Sequence, residues 1–184
     1  MEKITLEKLL LQDITGKVIC FPTDTVYGVG ARVGDLEAIA RIFKMKKRDG
    51  GKPLAILTPN KDIDAYVKNV TAEAKRWMDE GWPGALTLIF EANPLIDESI
   101  TKGFPTVAFR MPNSRVALTL LSQFGLMATT SVNISGEAEM NDVETIYENF
   151  FHEIDYIVTD EVTFSKKPSK IIDVSISPAR IIRS

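Results

Sequence analysis

One cysteine (Cys20) and one histidine (His152) stand in 184 residues. A lone cysteine excludes an internal disulfide framework and a cysteine-rich zinc site, and it suits a reducing compartment. A lone histidine leaves Ser-His and Cys-His nucleophile systems with no other candidate base. Set in Phe150-Phe151-His152-Glu153, it reads as a helix-surface residue, while Cys20, inside Val18-Ile19-Cys20-Phe21, reads as core filler. No apolar run approaches ~18 residues, and Glu2, Glu7 and Asp13 interrupt the start of the chain, so neither a membrane span nor a leader is expected. The expectation is a soluble, cytoplasmic protein with no membrane partner. No G-x-x-x-x-G-K-[ST] loop exists, and Gly28, Gly30 and Gly34 miss the G-x-G-x-x-G spacing by one residue. Asp24 and Asp173, the acids nearest the motifs described below, form no recognisable acid/base pair.

What is present is ordinary globular material: 45% hydrophobic and 26% charged residues, enough for one domain over 1–184 with a proper core. The net charge of −3 argues against a general nucleic-acid binder, but it is unevenly spread. Arg41, Lys44, Lys46, Lys47, Arg48 and Lys52 crowd one segment, whereas residues 134–164 carry nine acids and no Lys or Arg. Strands are read at 17–21, 54–57, 86–90, 106–109, 126–130, 157–158, 171–174 and 179–182. Helices are read from about Leu6 to Asp13, ended by Gly16, and after Asp35, Thr71, Ser114 and Asp142, residues suited to an N-cap. The order does not follow a regular βαβ rhythm. The fold class expected is α/β, a twisted open mixed sheet with packed helices around a positively charged concave cleft.

Three polar pairs with i,i+2 spacing follow apolar elements. Thr23 and Thr25 lie in Pro22-Thr23-Asp24-Thr25-Val26-Tyr27-Gly28, beyond a strand. Lys46 and Arg48 lie beyond a helix, and Gly50, Gly51 and Pro53 suggest an extended loop that points both cations one way. Ser131 and Asn133 lie in Ser131-Val132-Asn133-Ile134-Ser135-Gly136, beyond another strand. Arginine offers a planar fork and lysine a mobile point charge, a complementary grip for successive phosphates. Hydroxyls, fixed cations and an amide at element ends suit a site that works by positioning and electrostatics.

Together with Lys52-Pro53-Leu54, Trp82-Pro83-Gly84-Ala85-Leu86-Thr87, Val107-Ala108-Phe109-Arg110-Met111-Pro112, Pro168-Ser169-Lys170-Ile171-Ile172-Asp173 and Ile181-Ile182-Arg183, these stretches resemble the L-threonylcarbamoyladenylate synthases, the YrdC-like family, called TsaC in bacteria. The resemblance covers nearly the whole chain. It implies that L-threonine, bicarbonate and ATP give threonylcarbamoyl-adenylate and pyrophosphate, the first step of a tRNA adenosine modification. It also implies transient partners of the TsaD, TsaB and TsaE type. By the same resemblance, Lys46, Arg48, Ser131, Asn133 and Arg183 would bind ATP. Thr23 or Thr25, with Arg110, Thr129 and Ser169, would hold threonine. No residue is assigned as acid, base or nucleophile, and Mg²⁺ would be carried mainly by the ATP phosphates.

The chain departs from the family pattern at three points. Asp49 follows Lys-x-Arg where Pro is usual, and Leu57 stands where some members have His. The chain also ends at Ser184, so the expectation is that a C-terminal domain is missing and that something else shields the site, with closure of the loop around Lys46 to Lys52 as the simplest means. A non-enzymatic double-stranded RNA or tRNA module is the alternative. The acidic balance and the lack of aromatics among the basic residues weigh against it. Carbamoyl-adenylate chemistry of the hydrogenase-maturation type would need zinc modules and further domains, for which one cysteine and 184 residues leave no room.

Overall fold

The computed structural model describes residues 1–47, 52–163, 165 and 167–184. These form β1 (Glu2–Ile4), α1 (Leu6–Leu9), β2 (Ile19–Pro22), β3 (Tyr27–Arg32), α2 (Leu36–Met45), β4 (Ala55–Leu57), α3 (Ala72–Gly81), β5 (Leu86–Glu91) and α4 (Glu98–Thr101). The chain continues with β6 (Thr106–Arg110), α5 (Arg115–Phe124), β7 (Met127–Ser131), α6 (Val143–Phe150), β8 (Tyr156–Val158), β9 (Lys170–Asp173) and β10 (Arg180–Arg183). All ten strands join one sheet in the order β1-β8-β2-β3-β7-β4-β6-β5-β9-β10. The sheet is open and mixed: β1, β8 and β2 run parallel, β2-β3-β7-β4 antiparallel, β4-β6 parallel, β6-β5 antiparallel, β5-β9 parallel and β9-β10 antiparallel. The expected α/β class, an open mixed sheet with packed helices, therefore holds.

Side chains alternate between the two faces of a strand, and here the two faces differ sharply. On one face Cys20, Val29, Ala31, Ile56, Val107, Phe109, Ala128, Leu88, Phe90 and Ile172 meet the buried stripes of α2, α3 and α6 in the larger core. Phe90 and Phe109 pack edge to face there with centroids 6.3 Å apart. Burying each such ring contributes about 1.5–3 kcal/mol. Cys20 belongs to this core, and burial pushes its thiol far above the usual range, so it is filler as expected.

On the opposite face α1 and α5 cover Ile4, Ile19, Phe21, Leu57, Met127 and Val158, a smaller core. The pairing register places Gly28 and Gly30 of β3, Thr129 and Ser131 of β7, Ala55 of β4 and Ala108 and Arg110 of β6 on this face as well. None of these belongs to either core. Beyond the reach of α1 and α5 the face is small and polar, none of its residues joins a core shared with a described helix, and it makes the floor of the candidate site.

Four readings of local structure need correction. Residues 27–32 form a central strand that sequence reading left as a turn, because Gly28 and Gly30 lower strand propensity while their alternation with Tyr27, Val29 and Ala31 marks one bare face. The first helix spans only Leu6–Leu9 before turning. Asp35 does not cap α2 with its side chain; its Oδ2 instead accepts from the Gly16 amide at 3.0 Å. Lys46 is not on an extended loop but is the C-cap of α2, in helical conformation. The caps Thr71, Ser114 and Asp142 accept from Ala74, Ala117 and Thr145 amides as their positions predict. Among the described residues, no helix is long and apolar enough to cross a membrane. His152 is exposed in the turn after α6, its ring against Phe151.

Candidate active site

Arg110, at the end of β6, is the hub. The carboxyl ends of β2 and β6 point to opposite edges of the sheet, but four strand-to-strand steps of about 20–25° each turn them nearly at right angles. The 23–26 turn after β2 and the end of β6 meet over the bare face. Arg110 Nε donates to Gly84 O at 3.0 Å, Nη1 to Thr25 Oγ1 at 2.7 Å and Nη2 to Asp24 Oδ1 at 2.5 Å. Trp82-Pro83-Gly84 is fixed by Trp82 Nε1 donating to Leu86 O at 2.8 Å and by the Gly84 amide donating to Met111 O at 2.8 Å. The guanidinium is thus locked by three hydrogen bonds to two segments, and Arg110 is only 7% exposed. Burial lowers the Arg110 pKa, Asp24 counters that, and the like charge of Arg183 adds to the lowering. Three of five N–H groups are used, so one on each terminal nitrogen remains to meet a carboxylate.

Hydrogen-bond counting fixes the direction of the threonine turn. Thr23 Oγ1 donates to Val26 O at 2.7 Å, and it shares a 3.0 Å bond with Thr25 Oγ1. A hydroxyl has one proton, so Thr25 must be the donor to Thr23, and Arg110 donates to Thr25. Thr23 Oγ1 also accepts from the amides of Thr25 and Val26. Its role in this geometry is to build the turn, and neither hydroxyl has a proton left for a ligand. Asp24 is the residue sequence reading undervalued: it holds Arg110 from 86 positions away, a pairing that no local pattern could signal.

On β7, Thr129 Oγ1 donates to Ala55 O at 3.1 Å. At the end of the same strand lies the second cluster. Lys46, 3% exposed, donates from Nζ to Ser131 O at 2.6 Å and to Asn133 Oδ1 at 2.5 Å. Ser131 Oγ donates to Asn133 Oδ1 at 3.0 Å, Asn133 Nδ2 to Glu137 O at 2.7 Å, and the Ser135 amide to Lys46 O at 3.0 Å. Lys46, Ser131 and Asn133, read as separate pairs in sequence, form one network, and an anion arriving there would exchange with these bonds. Arg48 and residues 49–51, the middle of the Lys46 to Lys52 segment expected to close, lie outside the described residues.

The third cluster is at the far end of the sheet. Ser169 Oγ shares a 2.7 Å bond with Thr87 Oγ1 on β5, and Arg183 donates to Ser169 O from Nε at 2.9 Å and from Nη2 at 2.7 Å. Thr87, absent from the sequence-derived set, is the last residue of the stretch Trp82-Pro83-Gly84-Ala85-Leu86-Thr87. Arg183 lies close enough to Arg110 to depress its pKa, so the first and third clusters share a field. Every described candidate residue but Thr129 therefore belongs to one of these groups, and Thr129 stands on the bare face itself.

Comparison with known proteins places this arrangement. The Sua5/YciO/YrdC family model, described as "Telomere recombination", matches residues 14–184. A threonylcarbamoyl-AMP synthase from Pyrococcus abyssi is 34% identical over 170 residues, covering 91% of this chain and 50% of that protein. The Bacillus subtilis threonylcarbamoyl-AMP synthase is 35% identical over 133 residues, covering 71% of this chain and 38% of that one. The crystal structure of P. abyssi Sua5 complexed with L-threonine superposes with a TM-score of 0.91 at 30% identity, over 100% of this chain and 57% of that chain. The chain spans half the length or less of these two curated relatives. The match over 171 consecutive positions, on a sheet of the same topology, means that the chain belongs to the Sua5/YciO/YrdC family.

Proposed function

We propose that the chain is a nucleotidyltransferase that makes threonylcarbamoyl-AMP from L-threonine, bicarbonate and ATP. The observation that carries this reading is the bare sheet face, with a locked, buried arginine and an acceptor-only threonine at one side and a buried Lys46–Ser131–Asn133 network at the other. The threonine-bound relative adds support. In the reaction, the neutral amine of threonine takes the carbon of bicarbonate with loss of water. The carbamate oxygen then forms a bond to the α-phosphorus of ATP, and the bond to the pyrophosphate oxygen breaks. Arg110 would take the amino-acid carboxylate, and Lys46, Ser131 and Asn133, with Arg48 and Arg183, the nucleotide. Carbamates are short-lived in water, so alignment and shielding do most of the chemistry.

Magnesium would enter on the triphosphate. The site donors are chiefly hydroxyls, amides and cations, and Asp24 is engaged by Arg110, which suits an ion held by phosphate oxygens and water. The product would pass to a threonylcarbamoyl-transferase assembly of the TsaD, TsaB and TsaE type acting on tRNA. The test is pyrophosphate release with each of threonine, bicarbonate and ATP omitted in turn. The expected result is release only with all three, and a preference for threonine over serine worth ~1–3 kcal/mol. Equal release without an amino acid would overturn the reading.

A further inference from the structure

Gly30 and Thr129 stand directly opposite each other on neighbouring antiparallel strands, on the bare face. A β-carbon placed on Gly30 would lie 2.3 Å from Thr129 Cγ2, 3.4 Å from Thr129 Cβ and 3.0 Å from Ala128 O. At Gly28, two residues earlier on the same strand and face, the nearest atoms are 3.8 Å away. The methyl of Thr129 thus occupies the space that a side chain at position 30 would fill. With the methyl seated there, Oγ1 points to Ala55 O and gives it its only proton. The oxygen is left able to accept and unable to donate, in a residue only 4% exposed. Ala55 and Ala108, successive partners across β4 and β6, keep the floor between Thr129 and the Arg110 strand low over a span of about 10 Å.

We propose that Gly30 is a positioning residue for the amino-acid subsite: by receiving the Thr129 methyl, it fixes the Thr129 hydroxyl as an acceptor for the ammonium group of the substrate. This rests on the function proposed above. An acceptor-only oxygen on one strand and a guanidinium on another read the two ends of an amino acid in opposite senses. An acceptor such as a carboxylate cannot be satisfied at Thr129, nor a cation at Arg110, and this fixes the orientation in which the amine faces the incoming carbon. The assignment concerns the orientation of Thr129 rather than any contact of Gly30 with substrate.

The experiment has a ligand-free arm and a binding arm. Three-bond couplings to the Thr129 methyl give its χ1 rotamer in wild type, Gly28→Ala and Gly30→Ala. Calorimetry then gives L-threonine and ATP affinities for wild type, Gly30→Ala, Thr129→Ser, Thr129→Val and Gly30→Ala with Thr129→Ser. The expected result is a changed rotamer in Gly30→Ala only, and threonine affinity at least tenfold weaker with ATP affinity within twofold. Thr129→Ser, which lacks the obstructing methyl, is expected to restore threonine affinity in the Gly30→Ala background to within about threefold of Thr129→Ser alone. An unchanged rotamer in Gly30→Ala, or a double variant as weak as Gly30→Ala, overturns the proposal. If Gly30→Ala does not fold, Thr129→Val decides: the same shape without the acceptor must weaken threonine binding, and undiminished affinity overturns the proposal. A wild type that binds no threonine would remove the functional reading and with it the ammonium assignment, while the ligand-free couplings would still decide the hold of Gly30 on Thr129.

Discussion

Replacing Arg110 with alanine is expected to cut threonine-dependent turnover roughly 10- to 150-fold and to lower stability by about 3 kcal/mol. The first effect follows from losing a charge-assisted contact of ~1.5–3 kcal/mol to the substrate carboxylate. The second follows from Asp24, whose side chain is 15% exposed and would be left without its cation. Breaking a buried pair costs about 3–5 kcal/mol, and the lower figure applies because Asp24 retains some water. Thr25 and Gly84 O lose their donor at the same time. The pairing is tested by removing both charges: Asp24→Asn with Arg110→Met should recover much of the stability and none of the turnover. Denaturant unfolding measures the first quantity and pyrophosphate release the second. An Arg110→Ala protein that unfolds at the wild-type midpoint would show that Asp24 does not depend on the pair.

Lys46→Met should lower stability by about 1–3 kcal/mol and weaken ATP binding in step. On the sequence alone this residue belongs to a solvated loop, and its truncation would leave the fold untouched. The structure reverses that expectation. Its ammonium group is buried and satisfies Ser131 O and Asn133 Oδ1, so its loss leaves a buried carbonyl without that partner and frees the 131–137 segment from α2. Lys46→Arg should not rescue it, because a planar fork cannot replace a compact point charge between two oxygens 2.6 and 2.5 Å away. The decisive comparison is unfolding midpoint against ATP affinity across Lys46→Met, Lys46→Arg and Asn133→Ala. Unaltered midpoints in both lysine variants would place the residue outside the network.

How much could be read before the structure depended on the range of each interaction. Strands such as 86–90 and 106–109 were legible because apolar runs bounded by turn residues have few alternatives. The caps Thr71, Ser114 and Asp142 were legible because capping is local. β3 was missed where the local signal, glycine, opposes the strand that its neighbours demand. Lys46 was misplaced because a run of cations beside Gly50-Gly51 has the composition of a loop, while the residues that bury its amine lie more than 80 positions away. The same holds for Asp24 and Arg110. Motifs named the candidate residues, and only the packed chain revealed that several are engaged with one another.

The division of labour between the two sheet faces has a consequence for how this protein tolerates change. Along β3, β7 and β6, consecutive residues answer to different demands: Val29, Ala128 and Phe109 to the helices behind them, Gly30, Thr129 and Arg110 to the proposed site in front. Tolerance to substitution along these strands should therefore alternate with a period of two. One parity governs how much folded protein accumulates, and the other governs what that protein does once folded. Variation could reshape the chemistry of one face while leaving the other intact, so a single sheet can keep its fold and still change its substrate.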